Sequence, residues 1–139
     1  MKPKLFKGGI AIDKRGSVSF NNSLVLNKIK RFYIVKNNKK NFVRAWHGHK
    51  IEAKYILCIG GNAKISAVKI NNFKKPSKKS KVYNWVLDSK IPNVVYIPPG
   101  YANGSKSIKK NMKLLILSTS TLKQSLNDDY RFPEKFWKI

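Results

Sequence analysis

VRAWHGHKIEAKYILCIGG, Val43 to Gly61, is the stretch that decides how the chain is read. It holds both histidines of the chain, His47 and His49, as a His-x-His pair. Arg44, Trp46 and Lys54 lie in the same stretch, which closes on a Gly pair that marks a turn. In an extended strand, side chains two apart point to the same face. His47 and His49 then project side by side, and Arg44 is assigned to their wall. Two imidazoles and a guanidinium do not make ordinary core. Such a wall faces a metal, an anion or a substrate.

Working outward, Lys54 to Ile59 reads as the next strand, Gly60-Gly61-Asn62 as a hairpin turn, and Ala63 to Ile70 as the returning strand. Upstream, Asp13-Lys14-Arg15-Gly16 reads as a turn between two short strands within Leu5 to Phe20. Lys30 to Lys36 is rich in aromatic and β-branched residues, as strands are, and alternation puts Arg31 and Tyr33 on one face. Downstream, Asn71 to Lys81 reads as a solvated lysine loop. Val82 to Leu87 alternates strictly, so Tyr83, Trp85 and Leu87 share a face that serves the core or a dimer contact. Asn93 to Ile97 runs into Pro98-Pro99-Gly100, where proline cannot donate to a ladder and the strand ends. Lys113 to Ser118 is a continuous apolar strand. Helix is expected only over Thr121 to Leu126 and in the last few residues. The tail, Leu126 to Ile139, reads as a clasp that packs Tyr130, Phe132, Phe136 and Trp137 onto the body, with catalysis by Asp128 or Asp129 the lesser reading. Short strands at regular turn spacing argue an all-β barrel or sandwich.

The chain has 139 residues, enough for one domain with a real core and too few for two. Its hydrophobic content of 42% is that of a globular protein. The one cysteine, Cys58, sits in an apolar run and reads as a buried thiol. No apolar stretch approaches a membrane span, and the start lacks a signal-like apolar region, so a soluble cytoplasmic protein is expected, with no membrane partner. The net charge of +24 raises nucleic-acid binding. Against it, the excess is almost all lysine, spread along the chain, and no nucleic-acid-binding motif appears.

The His-x-His stretch resembles the first motif of the cupin superfamily, in which an acidic metal ligand and then a glycine follow the histidines. The acidic position falls on Lys54, and the glycine on Gly61. The second cupin motif, Pro-x-Gly followed by a histidine, corresponds to Pro98 to Asn103, with Asn103 at the histidine position. The resemblance implies a cupin-type jelly roll of short antiparallel strands over residues 1–139. A cation at the carboxylate position repels a divalent ion, so the expectation is a metal-free site without cofactor. Glu52, on the face of Lys54 by alternation, is the lesser alternative as a ligand.

Within the cupins, Arg44-Ala45-Trp46-His47 resembles the Arg-Gly-x-His of the dTDP-4-dehydrorhamnose 3,5-epimerases, with Lys54 at their catalytic lysine and Pro98 to Gly104 similar to their Ile-Pro-x-Gly-Phe-Ala-His-Gly string. RAWHGHK, Arg44 to Lys50, is still more similar to the RGxHAHK of the WxcM-like nucleotide-sugar 3,4-ketoisomerases. The resemblance implies His47 as base, His49 as its orienter or a relay, and Lys54 beside the developing enolate. It makes Arg15, Arg44, Tyr33, Tyr101 and Asn103 substrate-binding candidates, with Arg15 toward the diphosphate. The epimerase tyrosine that returns the proton falls on Ile116, which leaves a single epimerisation, a 3,4-keto shift or loss of catalysis open. The implied function is an isomerase of a nucleotide-linked 4-keto-6-deoxy sugar in surface-polysaccharide synthesis, acting as a homodimer. The alternatives are a non-catalytic cupin that binds a sugar or nucleotide sugar, and a basic β-barrel that binds nucleic acid.

Overall fold

Apolar residues that recur at every second position produce strands with one buried face, and here they build two such layers. The computed structural model covers residues 1–139. In chain order the strands are β1 (Lys4–Phe6), β2 (Gly9–Asp13), β3 (Gly16–Phe20), β4 (Arg31–Asn37), β5 (Val43–His49), β6 (Lys54–Gly60), β7 (Asn62–Lys69), β8 (Val82–Asp88), β9 (Val94–Ile97), β10 (Tyr101–Ser107), β11 (Met112–Ser118) and β12 (Tyr130–Arg131), with a short helix α1 (Leu122–Leu126) before the last. One five-stranded sheet runs β1-β9-β6-β11-β4, the other β12-β5-β10-β7-β8, and β2 and β3 form a separate hairpin. Every pairing is antiparallel. The sheets face each other as an open sandwich of the cupin jelly-roll type; they do not close into a barrel.

Between the sheets, Ile56 and Cys58 of β6, Val95 and Ile97 of β9, and Met112, Leu114 and Ile116 of β11 meet Ala63, Ile65 and Ala67 of β7, Leu87 of β8 and Tyr101 of β10. Burying each large aliphatic side chain here contributes about 2 kcal/mol. A second cluster lies on the other side of the β5-bearing sheet: Trp46, Val68, Ile70 and Ala102, closed over by Trp137. Trp46 and Trp137 meet edge to face at 5.5 Å. The Trp46 indole N–H donates to the carbonyls of Glu134 and Trp137 at 3.1 Å each. The tail is therefore a clasp, with Phe132 and Phe136 on this cluster and Tyr130 against Phe73 at 4.8 Å.

Two sequence expectations change. Gly60-Gly61-Asn62 is not a hairpin turn: β6 pairs with β9 and β11, whereas β7 pairs with β8 and β10. The turn is a corner that carries the chain from one sheet to the other, with Gly61 at φ +63°, where a side chain is disfavoured. Consecutive strands of similar composition cannot be told from a hairpin by pattern alone. Tyr83, Trp85 and Leu87 share the face of β8 that packs on the core, one of the two roles the alternation allows, with Tyr83 and Trp85 partly buried. Last, residues 132–139 are not helical, because their aromatic side chains are spent on the clasp. The helix over Thr121 to Leu126 forms as expected, with Thr121 and Gln124 capping it reciprocally. The lysine loop is largely exposed, yet the Trp137 indole donates to Ser77 O at 2.9 Å and ties it to the tail.

Candidate active site

β5 alternates, so His47 and His49 both face inward while Trp46 faces out into the second cluster. Arg44 is three residues from His47, and strict alternation would turn it away. The β5–β10 register shifts between Asn103 and Gly104: Asn103 pairs with His47, Gly104 with Ala45, and Trp46 is the extra residue. That bulge returns Arg44 to the His47 side.

There a cavity of about 140 Å³ opens between the sheets. Arg44, His47, Asn103, Gly104 and Ser105 line it from one sheet, and Tyr33, Val35, Lys54, Ile56, Leu114 and Ile116 from the other. Tyr33, Arg44, His47, Lys54 and Asn103 are thus brought together, as the sequence suggests. The Asn103 amide donates to the His47 backbone carbonyl at 3.0 Å and stiffens the strand that carries the imidazole. The Arg44 Nε donates to Asn37 Oδ1 at 2.7 Å. The Arg31 guanidinium lies over the Tyr33 ring, 4.8 Å from its centroid. His47 is half-buried, and burial pushes its pKa below the ordinary value, helped by Arg131 and Lys54 and opposed by Asp129. A neutral imidazole therefore stands over an apolar floor, beside an ammonium and a guanidinium. Such a wall can take a proton from carbon and hold an oxyanion.

Three predicted residues lie elsewhere. His49 is buried behind the cavity and does not line it: its Nδ1 is 2.6 Å from Asp128 O, and its Nε2 is 3.0 Å from Glu52 Oε2. Burial and the nearby Lys54 lower its pKa, opposed by Glu52 and the Asp128 hydrogen bond. Tyr101 sits in the main core, 5% exposed, where burial pushes its phenol pKa up. Arg15 is at the tip of the β2–β3 hairpin, exposed and paired with Asp13 at 2.6 Å, away from this cavity. Sequence spacing places residues within a strand but cannot say how far a free hairpin lies from a site.

Other residues carry more than their sequence signal. Glu52 lies beside Lys54, but not as a ligand in an open site: its carboxylate is fully buried, with Lys54 Nζ at 3.6 Å. No group of three or more His, Cys, Asp or Glu side chains is disposed to hold a metal ion. The Asp128 carboxylate accepts from the backbone N–H groups of Lys50, Ile51 and Glu52 at 2.7, 2.9 and 2.9 Å, clamping the β5–β6 loop. Arg131 is the β12 residue directly opposite His47. The only sequence signal for these was a lone acidic residue, Glu52, between apolar ones, and the Asp pair in the tail.

The fold matches solved structures along nearly its whole length. A 3,4-ketoisomerase from Helicobacter canadensis aligns over 98% of this chain and 95% of its own, at 20% identity and a TM-score of 0.73. The rmlC epimerase of Mycobacterium tuberculosis aligns over 94% of this chain and 68% of its own, at 16% identity and a TM-score of 0.77. QdtA, a sugar 3,4-ketoisomerase from Thermoanaerobacterium thermosaccharolyticum solved with TDP, aligns over 97% and 91%, at 21% identity and a TM-score of 0.71. At these identities the likeness is one of fold. No curated protein matches the chain in sequence. The family model described as FdtA, WxcM-like, C-terminal matches residues 1–139, and the chain belongs to that family.

Proposed function

We propose that the protein is a nucleotide-sugar isomerase that moves a proton next to the carbonyl of a 4-keto-6-deoxy sugar, without a metal, for surface-polysaccharide synthesis. The observation that carries this reading is the convergence of His47, Lys54, Arg44 and Tyr33 on one cavity between the sheets. The family and the isomerases and epimerases that share the fold support it. Residues 1–139 act as one domain.

His47 takes the proton from C3, and the electron pair moves toward the C4 carbonyl. Lys54 stabilises the oxygen on which charge develops. The O3 proton passes to O4 as a carbonyl forms at C3, and the protonated His47 delivers its proton to C4. One base on one face serves both carbons. Ile116, at the position of the epimerase tyrosine, carries no acid, which favours this 3,4-keto shift. A second reading, a single epimerisation, rests on Tyr33, the one phenol that lines the cavity. Arg44 holds the diphosphate, and Asn103 serves His47 through its backbone.

The active form is a homodimer. The β2–β3 hairpin is exposed along almost its whole length, with Ile12 at 79% and Val18 at 66% exposed. A second copy of the chain covers this apolar hairpin and brings Arg15 toward a nucleotide. The test of the reaction is proton NMR in deuterated water with dTDP-4-keto-6-deoxyglucose. A carbonyl that moves to C3 supports the keto shift, and deuterium at C3 with inversion supports the epimerisation.

A further inference from the structure

Glu52 stands in the loop between β5 and β6 with its side chain fully buried. A buried carboxylate is costly unless its oxygens are paired and its charge is matched. Ser118 Oγ donates to Glu52 Oε1 at 2.6 Å, and Arg31 Nη2 lies 3.7 Å from the same oxygen. Lys54 Nζ lies 3.6 Å and His49 Nε2 3.0 Å from Oε2. Side chains from β4, β5, β6 and β11 therefore converge on one carboxylate, behind the cavity rather than in it.

The hydrogen-bond chemistry of His49 adds a constraint. Asp128 O is a carbonyl and only accepts, so His49 Nδ1 must donate to it across 2.6 Å. A neutral imidazole with its proton on Nδ1 turns the lone pair of Nε2 toward Glu52 Oε2. Two bare acceptors at 3.0 Å repel each other. The opposite tautomer places a lone pair against the Asp128 carbonyl, which is no better. The contact is close but not aligned as a hydrogen bond, and neither Nε2 nor Oε2 has a hydrogen-bond partner. The Lys54 ammonium, 3.6 Å from Oε2, is the cation that offsets this repulsion.

We propose that Glu52 is a positioning residue for the reaction: its buried carboxylate fixes the Lys54 ammonium at the cavity wall. This inference rests on the isomerase reading above. The charged and titratable groups facing the network are Arg31 and Tyr33 of β4, His47 and His49 of β5, Lys54 of β6, and Asp128 ahead of β12. The assignment separates the two histidines. His47 lines the cavity, whereas His49 stands behind it with Nδ1 on the Asp128 carbonyl. Lys54 is the group through which Glu52 acts, because its ammonium touches both the carboxylate and the cavity. Glutamine cannot replace the carboxylate, since its amide would aim a donor at one of the cations.

Two experiments test the proposal on the full chain. In the wild-type protein labelled with ¹⁵N-lysine, NMR should show the Lys54 ammonium as a resolved, slowly exchanging signal, as a held and buried ammonium gives. An ammonium that exchanges as fast as the surface lysines would overturn the positioning. In kinetics, Glu52→Gln should lower kcat about 100-fold with KM within about threefold, the range of one lost electrostatic contact to a transition state. In a Lys54→Met background the same change should add less than about threefold, because the two act as a unit. An equal loss in both backgrounds would mark Glu52 as merely structural and overturn the positioning role. Should Glu52→Gln fail to fold, the wild-type resonances decide. If the wild-type protein turns over no nucleotide sugar, the isomerase reading fails, whereas the resonances still report on the Lys54 ammonium.

Discussion

Tyr33 and Ile116 are direct partners across the β4–β11 ladder, and both line the cavity. The phenol thus stands one strand away from the position at which the 3,5-epimerase resemblance expects one. Whether Tyr33 handles a proton decides between the two proposed outcomes. A lost general acid costs about 10²–10⁴-fold in rate. With His47 as the sole base, Tyr33→Phe should lower kcat less than about tenfold and leave the product unchanged. A loss above about 100-fold, measured by product formation in steady state, would transfer the acid role to Tyr33 and favour the epimerisation.

His47→Asn should remove turnover, with a loss of about 10³-fold or more, while a nucleotide sugar still binds. The pH dependence follows from its surroundings. Burial, Arg131 and Lys54 hold the His47 pKa below its ordinary 6.5, so the neutral, basic form persists to lower pH. The acidic limb of kcat/KM should therefore lie below that value, with activity lost as pH falls through the lowered pKa. Arg131→Gln removes one of the lowering charges, and the limb should move up in pH. A limb that stays in place or moves down would show that another group is the base.

Asp128 and Asp129 are adjacent in sequence and opposite in role. Asp128 is 5% exposed and accepts three backbone N–H groups of the β5–β6 loop. Asp128→Ala leaves those donors without a partner and should cost about 3 kcal/mol in urea denaturation. Asp129 meets Arg131 at 3.1 Å near the surface, and its removal should cost less than about 0.5 kcal/mol. Equal losses would contradict the clamp.

The β2–β3 hairpin gives a test of assembly. Ile12→Lys places a charge on the exposed apolar hairpin and should shift the protein from dimer to monomer in sedimentation. Arg15→Gln should raise KM with kcat nearly unchanged, as loss of uniform substrate binding does. A wild-type monomer, or a variant that still dimerises, would remove the hairpin from the interface.

These tests divide along what a single strand can reveal. Alternation places His47 and Tyr33 on inward faces, and the His-x-His stretch marks the cavity wall. The capped helix at Thr121 was legible because all its determinants lie within four residues. The rest depended on contacts between distant segments. Asp128 reaches a loop 76 to 78 residues away, and no local pattern encodes that pairing. The bulge at Trp46, which returns Arg44 to the cavity, follows from the partner strand β10 and not from the spacing of β5. His49 looked equivalent to His47 because period-two alternation gives direction but not depth. Glu52 seemed a spare ligand because sequence does not show that Ser118, Arg31 and Lys54 meet around it.

The most direct test of the account is proton NMR of the protein with dTDP-4-keto-6-deoxyglucose in deuterated water, run beside His47→Asn. The account predicts that the wild type moves the carbonyl from C4 to C3, with solvent deuterium entering only at the carbon reprotonated from the His47 face, and that the variant gives neither. A carbonyl that stays at C4 with deuterium at both C3 and C5 would contradict it, because that double exchange needs a second acid–base group besides His47.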